Sequence, residues 1–261
     1  MARLNGRRVW VTGGGRGIGR AIAVAMARQE ADVAVSARTK SEIDSVAKEI
    51  RSLGVNAVAV VCDVMSFDAI GECVESIRSD LGEIDILVNN AGGGTGLSNT
   101  EGLSKEQIDD RLFVANVDLN LFSAYRASRA VLPGMIERGH GRIINIGSGY
   151  AKRSGGHPAY TAAKHGLIGL TRAMAAEVAE QGVTINCLCP GWTNTQLVDL
   201  EAMASTRRTT VEVEKMRIAS ENLQKRILEP EELGPMATLL AADESAGITG
   251  QVISVDGGYK I

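Results

Sequence analysis

The chain has 261 residues, 44% of them apolar and 23% charged, an ordinary globular composition with ample material for a core. A net charge of −3 leaves no basic footprint for nucleic acid, and 3% aromatic residues leave no stacking platform for single strands. No apolar run reaches the ~18 residues of a membrane span, and the opening Met1-Ala2-Arg3-Leu4-Asn5-Gly6 lacks a signal-peptide core, so a cytoplasmic location is expected.

Residues 7–12 read as a short strand, Gly13-Gly14-Gly15-Arg16-Gly17-Ile18-Gly19 as a turn, and 21–29 as a helix. Strand, glycine turn and helix are the context of a nucleotide-binding turn. Gly13 allows the tight turn, while Gly17 and Gly19, without a Cβ, let backbone approach a pyrophosphate that the helix N-terminus would face. A P-loop is excluded because no Gly-Lys-Ser/Thr follows, and the spacing also differs from Gly-x-Gly-x-x-Gly.

The alternation continues with strands at 32–37, 55–62 and 84–88 and helices at 41–53 and 66–81. It predicts right-handed βαβ units in one parallel sheet, a doubly wound α/β domain covering 1–261 with seven strands. In such a sheet ligands sit beyond the carboxyl ends of the strands, so Asn89-Asn90-Ala91-Gly92 should line the same crevice as the glycine turn. Asp63, in Cys62-Asp63-Val64 at the end of strand three, either accepts from adenine N6 or caps a turn.

A long helix is predicted over 104–138, with Asn120 either functional or a satisfied core amide. Strand five (141–146) leads to Gly147-Ser148-Gly149, where Ser148 can hydrogen-bond a substrate oxygen. In the helix predicted over 159–181, Tyr160 and Lys164 are four apart and share a face. The ammonium should lower the phenol pKa from ~10 towards the acid–base range, although Tyr-x-x-x-Lys taken alone reads as a surface pair and gains weight only from a nucleotide site elsewhere in the chain. Strand six (183–189) ends at Pro190-Gly191. Its Cys187 and Cys189 share a face but have no His nearby, and with Cys62 and Cys73 they form no C-x-x-C pair, so no metal is expected and a reducing compartment suits them. The polar stretch 194–228 reads as a lid with two helical pieces at best, 230–242 as a helix and 251–255 as strand seven.

With Thr12-Gly13-Gly14-Gly15-Arg16-Gly17-Ile18-Gly19, Asp63-Val64, Asn89-Asn90-Ala91-Gly92, Ser148, Tyr160-x-x-x-Lys164 and Pro190-Gly191 in order, residues 4–259 resemble the short-chain dehydrogenase/reductase family. The resemblance implies a single Rossmann-type domain, a nicotinamide cofactor and a catalytic tetrad of Asn120, Ser148, Tyr160 and Lys164. Asn120 is preferred to Asn116 because it keeps the family's interval to Val131-Leu132-Pro133. The resemblance further implies that Asn120 positions a proton-relay water and that Lys164 holds the nicotinamide ribose. Cofactor contacts are implied for Gly13, Gly15, Arg16, Gly17, Ile18, Gly19, Arg38, Asp63, Val64, Asn90, Ala91, Gly92 and Tyr160, with Pro190, Gly191, Thr193 and Thr195 on the carboxamide side. A homotetramer is implied, with the helices at 104–138 and 159–181 forming one interface. Two departures stand out: Glu30 replaces the glycine that usually precedes strand two, and the Ser148-to-Tyr160 interval is one residue short.

The predicted cofactor is NADP(H) rather than NAD(H). Ala37 occupies the strand-two position where an NAD site has an acid, and Arg38 and Arg16 are placed to meet a 2′-phosphate. The function that follows is hydride transfer between NADP(H) and a ketone or secondary alcohol. An NAD-dependent alcohol dehydrogenase of the same family and a non-catalytic nucleotide sensor are the alternatives. Within the family the general likeness is to 3-oxoacyl thioester reductases and related ketoreductases. Lys164-His165-Gly166-Leu167-Ile168-Gly169-Leu170 is also similar to 3-hydroxybutyrate dehydrogenases. Their substrate-carboxylate lysine is replaced by His157 here, and the glutamine after Asn-Asn-Ala-Gly is absent, which argues against a small keto acid. Lys152, Arg153, Arg207, Arg208, Lys215 and Arg217 either steer an anionic thioester or form a solvated charged face.

Overall fold

The sheet of this computed structural model contains seven parallel strands in the order β3-β2-β1-β4-β5-β6-β7. They are β1 (Arg8–Thr12), β2 (Asp32–Ala37), β3 (Ala57–Val61), β4 (Ile86–Asn89), β5 (Gly141–Ile146), β6 (Val183–Pro190) and β7 (Val252–Val255). The structure describes residues 3–94, 97 and 100–260; the first two residues of the stretch read as carrying no leader lie outside them.

Central strands are apolar along their whole length because helices cover both faces. Val9, Val11, Val33, Val35, Ile86, Val88 and Ile144 point to one face, and they share a core with residues of α1 (Gly17–Ala27) and α2 (Lys40–Arg51). Trp10, Ala34, Leu87, Ile143 and Ile185 point to the other, against α3 (Phe67–Leu81). The chain leaves β1 for β2 on one side and returns to β4 on the other. The registers Val9↔Ile86 and Val11↔Val88 then bring the ends of β1 and β4 side by side, and this reversal opens the crevice.

Several elements depart from the predicted boundaries. The helix predicted over 21–29 begins at Gly17, inside the glycine turn. The helix predicted over 104–138 is interrupted: α4 (Lys105–Val117), started by a Ser104–Gln107 capping box, gives way to a π-turn at Asp118–Phe122 before α5 (Ser123–Glu137). The helix bearing Tyr160 and Lys164 is α6 (Pro158–Val178). Residues 194–228 hold α7 (Leu200–Arg207) and α8 (Val211–Ser220), with bridges Thr193↔Leu228 and Asn222↔Tyr259 fixing the segment's ends. Over 230–242 a 3-10 turn (Pro230–Leu233) precedes α9 (Gly234–Ala241).

Glu30 adopts φ +66°, the left-handed conformation that glycine takes at little cost. Its N–H reaches Ala27 O at 2.9 Å and that of Ala31 reaches Met26 O at 3.3 Å, a Schellman end to α1 built on the wrong residue type.

Candidate active site

A cavity of about 840 Å³ lies at the carboxyl ends of the strands. Every residue named above as a cofactor contact lines it, and so does Ser148. Asn120 does not; Asn116 does.

The glycine turn is fixed to β4 by side chains. Thr12 Oγ1 accepts from the N–H groups of Asn90 and Ala91, both at 3.1 Å, and Asn90 Nδ2 donates to Thr12 O and Gly13 O, both at 3.0 Å. Asn90 thus spends its amide on shaping the turn. A Cβ on Gly19 would lie 2.3 Å from Gly13 O, so the protein's own packing requires glycine there. At the start of α1, Arg16 makes no side-chain cap and the first turn contains no acid. The free N–H groups of that turn therefore face the cavity with the helix dipole unopposed, which fits a pyrophosphate.

At the far end of the cavity, Ala37 ends β2 and Arg38 follows, exposed, so no carboxylate occupies the strand end. Arg16 does not converge freely with Arg38. Its Nη1 lies 3.5 Å from Oε1 of Glu42, a first-turn residue of α2 that also lines the cavity and that the sequence reading did not consider. Asp63 accepts from Met65 N at 3.0 Å, so the turn role is realised while the residue stays on the wall. Thr193 donates its hydroxyl to Gly191 O at 3.0 Å. The Thr195 methyl would lie 3.2 Å from a Cβ on Gly17, placing the start of the 194–228 stretch over the glycine turn.

The chemistry-bearing side chains meet at Gly92, where a Cβ would stand 2.8 Å from Asn120 Oδ1 and 3.3 Å from Lys164 Nζ. Asn120 is buried in the π-turn. Its Nδ2 donates to Gly93 O at 2.8 Å and Asn116 O at 3.0 Å, and its Oδ1 accepts from Gly93 N at 2.9 Å. Both amide hydrogens are used, so the side chain pins α4 to the β4 turn instead of presenting a donor for water. Ser148 Oγ accepts from Tyr150 N at 3.1 Å and opens the 3-10 turn Gly149–Ala151. Proline starts α6, and Tyr160 is its third residue.

Lys164 Nζ lies 5.7 Å from the Tyr160 ring centroid and donates to Ile146 O at 2.8 Å. Burial lowers the Lys164 pKa to about 8. Burial also raises that of Tyr160, against a smaller opposite pull from the Ser148 hydroxyl. The expected lowering of the phenol by the ammonium is not found: Lys164 directs its charge at a carbonyl, and burial moves the phenol pKa up.

Behind the site a buried amide network ties the elements together. Asn89 Nδ2 donates to Asn145 Oδ1 at 2.8 Å, and Asn145 Nδ2 donates to Thr171 Oγ1 of α6 at 2.9 Å. Cys187 and Cys189 do share a face of β6, with sulfurs 3.8 Å apart beneath Gly147. Among the described residues no group of three or more His, Cys, Asp and Glu is placed to hold a metal. Nor is any helix long and apolar enough to cross a membrane.

The other end of the cavity, beyond Tyr160, is walled by Tyr150, His157, Trp192 and Tyr259 with Leu197, Val198 and Met203 of the 194–228 stretch. None of Lys152, Arg153, Arg207, Arg208, Lys215 and Arg217 lines it.

A sequence model of the family described as short chain dehydrogenase matches residues 7–204. The chain is 35% identical to oxidoreductase UcpA of Salmonella typhimurium over 100% of this chain and 97% of that one. It is 36% identical to the 3-oxoacyl-[acyl-carrier-protein] reductase FabG of Pseudomonas aeruginosa over 98% of each. Among solved structures, a variant of the actinorhodin polyketide ketoreductase with NADPH superposes with a TM-score of 0.89 at 34% identity, covering 100% of this chain and 99% of that one.

Proposed function

The chain belongs to the short chain dehydrogenase family and is an oxidoreductase of it, and on that premise we propose that it interconverts a ketone and a secondary alcohol using NADP(H). The observation that carries this reading is the convergence of Ser148, Tyr160 and Lys164 on one wall of a cavity whose other wall is the uncapped start of α1.

The nicotinamide, when bound, supplies or takes the hydride. The rest falls to the chain. Ser148 and Tyr160 hydrogen-bond the carbonyl oxygen, and Tyr160 donates its proton there as negative charge develops. Burial raises the phenol pKa, which suits a proton donor. Lys164 stands beside the phenol and Asn120 holds the wall, each as a proposed member of the catalytic set. The glycine turn takes the pyrophosphate, with Asp63, Val64, Ala91 and Gly92 along the adenosine and ribose side and Pro190, Gly191, Thr193 and Thr195 opposite. Ala37 and Arg38 support NADP(H), in keeping with the NADPH in the similar ketoreductase structure.

We read the chain as one domain over 1–261 with a lid at 194–228, assembled as a homotetramer. Phe113, Val114, Phe122 and Tyr125 are exposed along α4, the π-turn and α5, an apolar stripe suited to one interface. The test of function is a ketone panel with NADPH, followed at the dihydronicotinamide absorbance band. Ketone-dependent loss of that band is expected. NADPH binding without turnover across the panel would mark a nucleotide sensor instead.

A further inference from the structure

The geometry points to a neutral, ring-bearing ketone as the substrate, selected by Tyr150 and Trp192; this rests on ketone reduction at the site proposed above. The chain has only two Trp and four Tyr, yet one Trp and three Tyr stand on this cavity wall. The Tyr150 ring meets Trp192 edge-on at 6.1 Å and 85°, and Tyr259 at 6.1 Å and 88°. Such a corner of edges and faces accepts a flat apolar ring in the stacked or edge-on arrangements that aromatic groups prefer. Leu197, Val198 and Met203 add apolar side chains to the lining.

The rings are held before any substrate arrives. The shortened loop wraps Tyr150: a Cβ on Gly155 would lie 2.7 Å from its Cε1, and one on Gly156 3.1 Å from its Cδ2. A Cβ on Gly149 would lie 2.7 Å from Tyr259 Cδ1. Trp192 Nε1 donates to Glu221 Oε2 at 3.0 Å.

Charge around this corner disfavours an anion. Lys152 donates to Ser254 Oγ, and Arg153 donates to Lys260 O at 2.7 Å. Arg207 and Arg217 pair with buried Glu214 at 3.6 and 2.9 Å. Lys260 pairs with Glu221 at 3.4 Å, and that carboxylate sits behind Trp192. Among the described residues the lysines and arginines that line the cavity are Arg16 and Arg38, at the glycine-turn and strand-two end, and Lys164, which is committed to Ile146 O. Lys260 Nζ does lie over the Tyr150 and Tyr259 rings at 5.9 and 5.1 Å, but its charge is matched by Glu221, so a substrate carboxylate placed here would lose its hydration and gain no uncommitted lysine or arginine.

The experiment uses the full chain with NADPH at pH 8. The ketones are 2-tetralone, 2-pentanone, 3-oxobutanoate and acetoacetyl-CoA. We expect kcat/KM for 2-tetralone to exceed that for 3-oxobutanoate by at least ~100-fold, the scale of an unpaired buried charge. Tyr150→Ala should lower the 2-tetralone value through KM by ~10-fold more than it lowers the 2-pentanone value, an aromatic contact's worth. Tyr150→Phe, which keeps the ring, should restore it. Turnover of 3-oxobutanoate or acetoacetyl-CoA equal to or above that of 2-tetralone would overturn this inference while leaving ketone reduction standing. So would a Tyr150→Ala variant that turns over 2-tetralone like the parent. No ketone-dependent NADPH loss with any of the four would overturn the ketone reading and the inference with it.

Discussion

Replacing Lys164 by methionine should stabilise the protein at neutral pH while abolishing its turnover. Burial lowers the pKa of Lys164 from 10.5 to about 8, so the unfolded chain binds that proton more tightly than the folded one. The resulting cost is fully present below pH 8 and is relieved as pH rises towards 10.5. At ~1.4 kcal/mol per decade it amounts to ~3 kcal/mol at pH 7. Methionine keeps the length of the side chain and removes the charge, but it forfeits the 2.8 Å hydrogen bond to Ile146 O, worth ~1–2 kcal/mol. A net gain of ~1–2 kcal/mol is expected at pH 7. Urea unfolding of both proteins at pH 7 and pH 10 reads it directly, as a higher midpoint at pH 7 with an unchanged slope. Most of the advantage should be gone at pH 10. A variant less stable than the parent at pH 7, or an advantage independent of pH, would refute the claim that this lysine is held at an electrostatic cost.

Three further outcomes are expected. Glu30→Gly relieves a left-handed residue at the end of α1 and should raise unfolding free energy by ~1 kcal/mol, read as a higher urea midpoint; no change would mean that the φ +66° conformation carries no strain. The parent should prefer NADPH to NADH by at least ~10-fold in kcat/KM, one charge-assisted contact's worth, and Ala37→Asp with Arg38→Ala should reverse the order. A parent that prefers NADH would show that Arg38 faces solvent alone. Glu42→Gln releases Arg16 and should tighten NADPH binding ~2–5-fold, the range of an exposed ion pair, with NADH binding little affected; equal effects on both would place Arg16 away from the 2′-phosphate.

The sheet, the glycine turn and the Tyr160–Lys164 pair were legible in the sequence because each is written locally, in apolar runs, in residues without a Cβ and in a four-residue spacing. Features set by contacts between distant residues were not. The π-turn at Asp118–Phe122 arises where Asn120 reaches across to Gly93, and nothing in the run from 104 to 138 announces it. The partner of Arg16 is Glu42, which lies on another helix. The upward direction of the Tyr160 pKa follows from burial, a tertiary quantity, where the sequence displayed only the nearby lysine. The cations of the loop and lid could be counted in advance, but their pairing with Glu214, Ser254 and the Lys260 carbonyl could not. Glu30 is the converse case: it stands out against the glycine that the family resemblance implies there, and the backbone angle φ +66° is the left-handed one that glycine would take.

Single-turnover and steady-state reduction of a neutral ketone by Tyr160→Phe, beside its NADPH affinity, tests the central claim most directly. Phenylalanine keeps the ring and its packing and removes the one hydroxyl proposed to deliver a proton to the carbonyl oxygen. The expected result is an unchanged NADPH Kd and a kcat lower by ~10²–10⁴-fold, the range of a lost general acid. A variant that binds NADPH normally and reduces the ketone at close to the parent rate would contradict the assignment of Tyr160 as the acid.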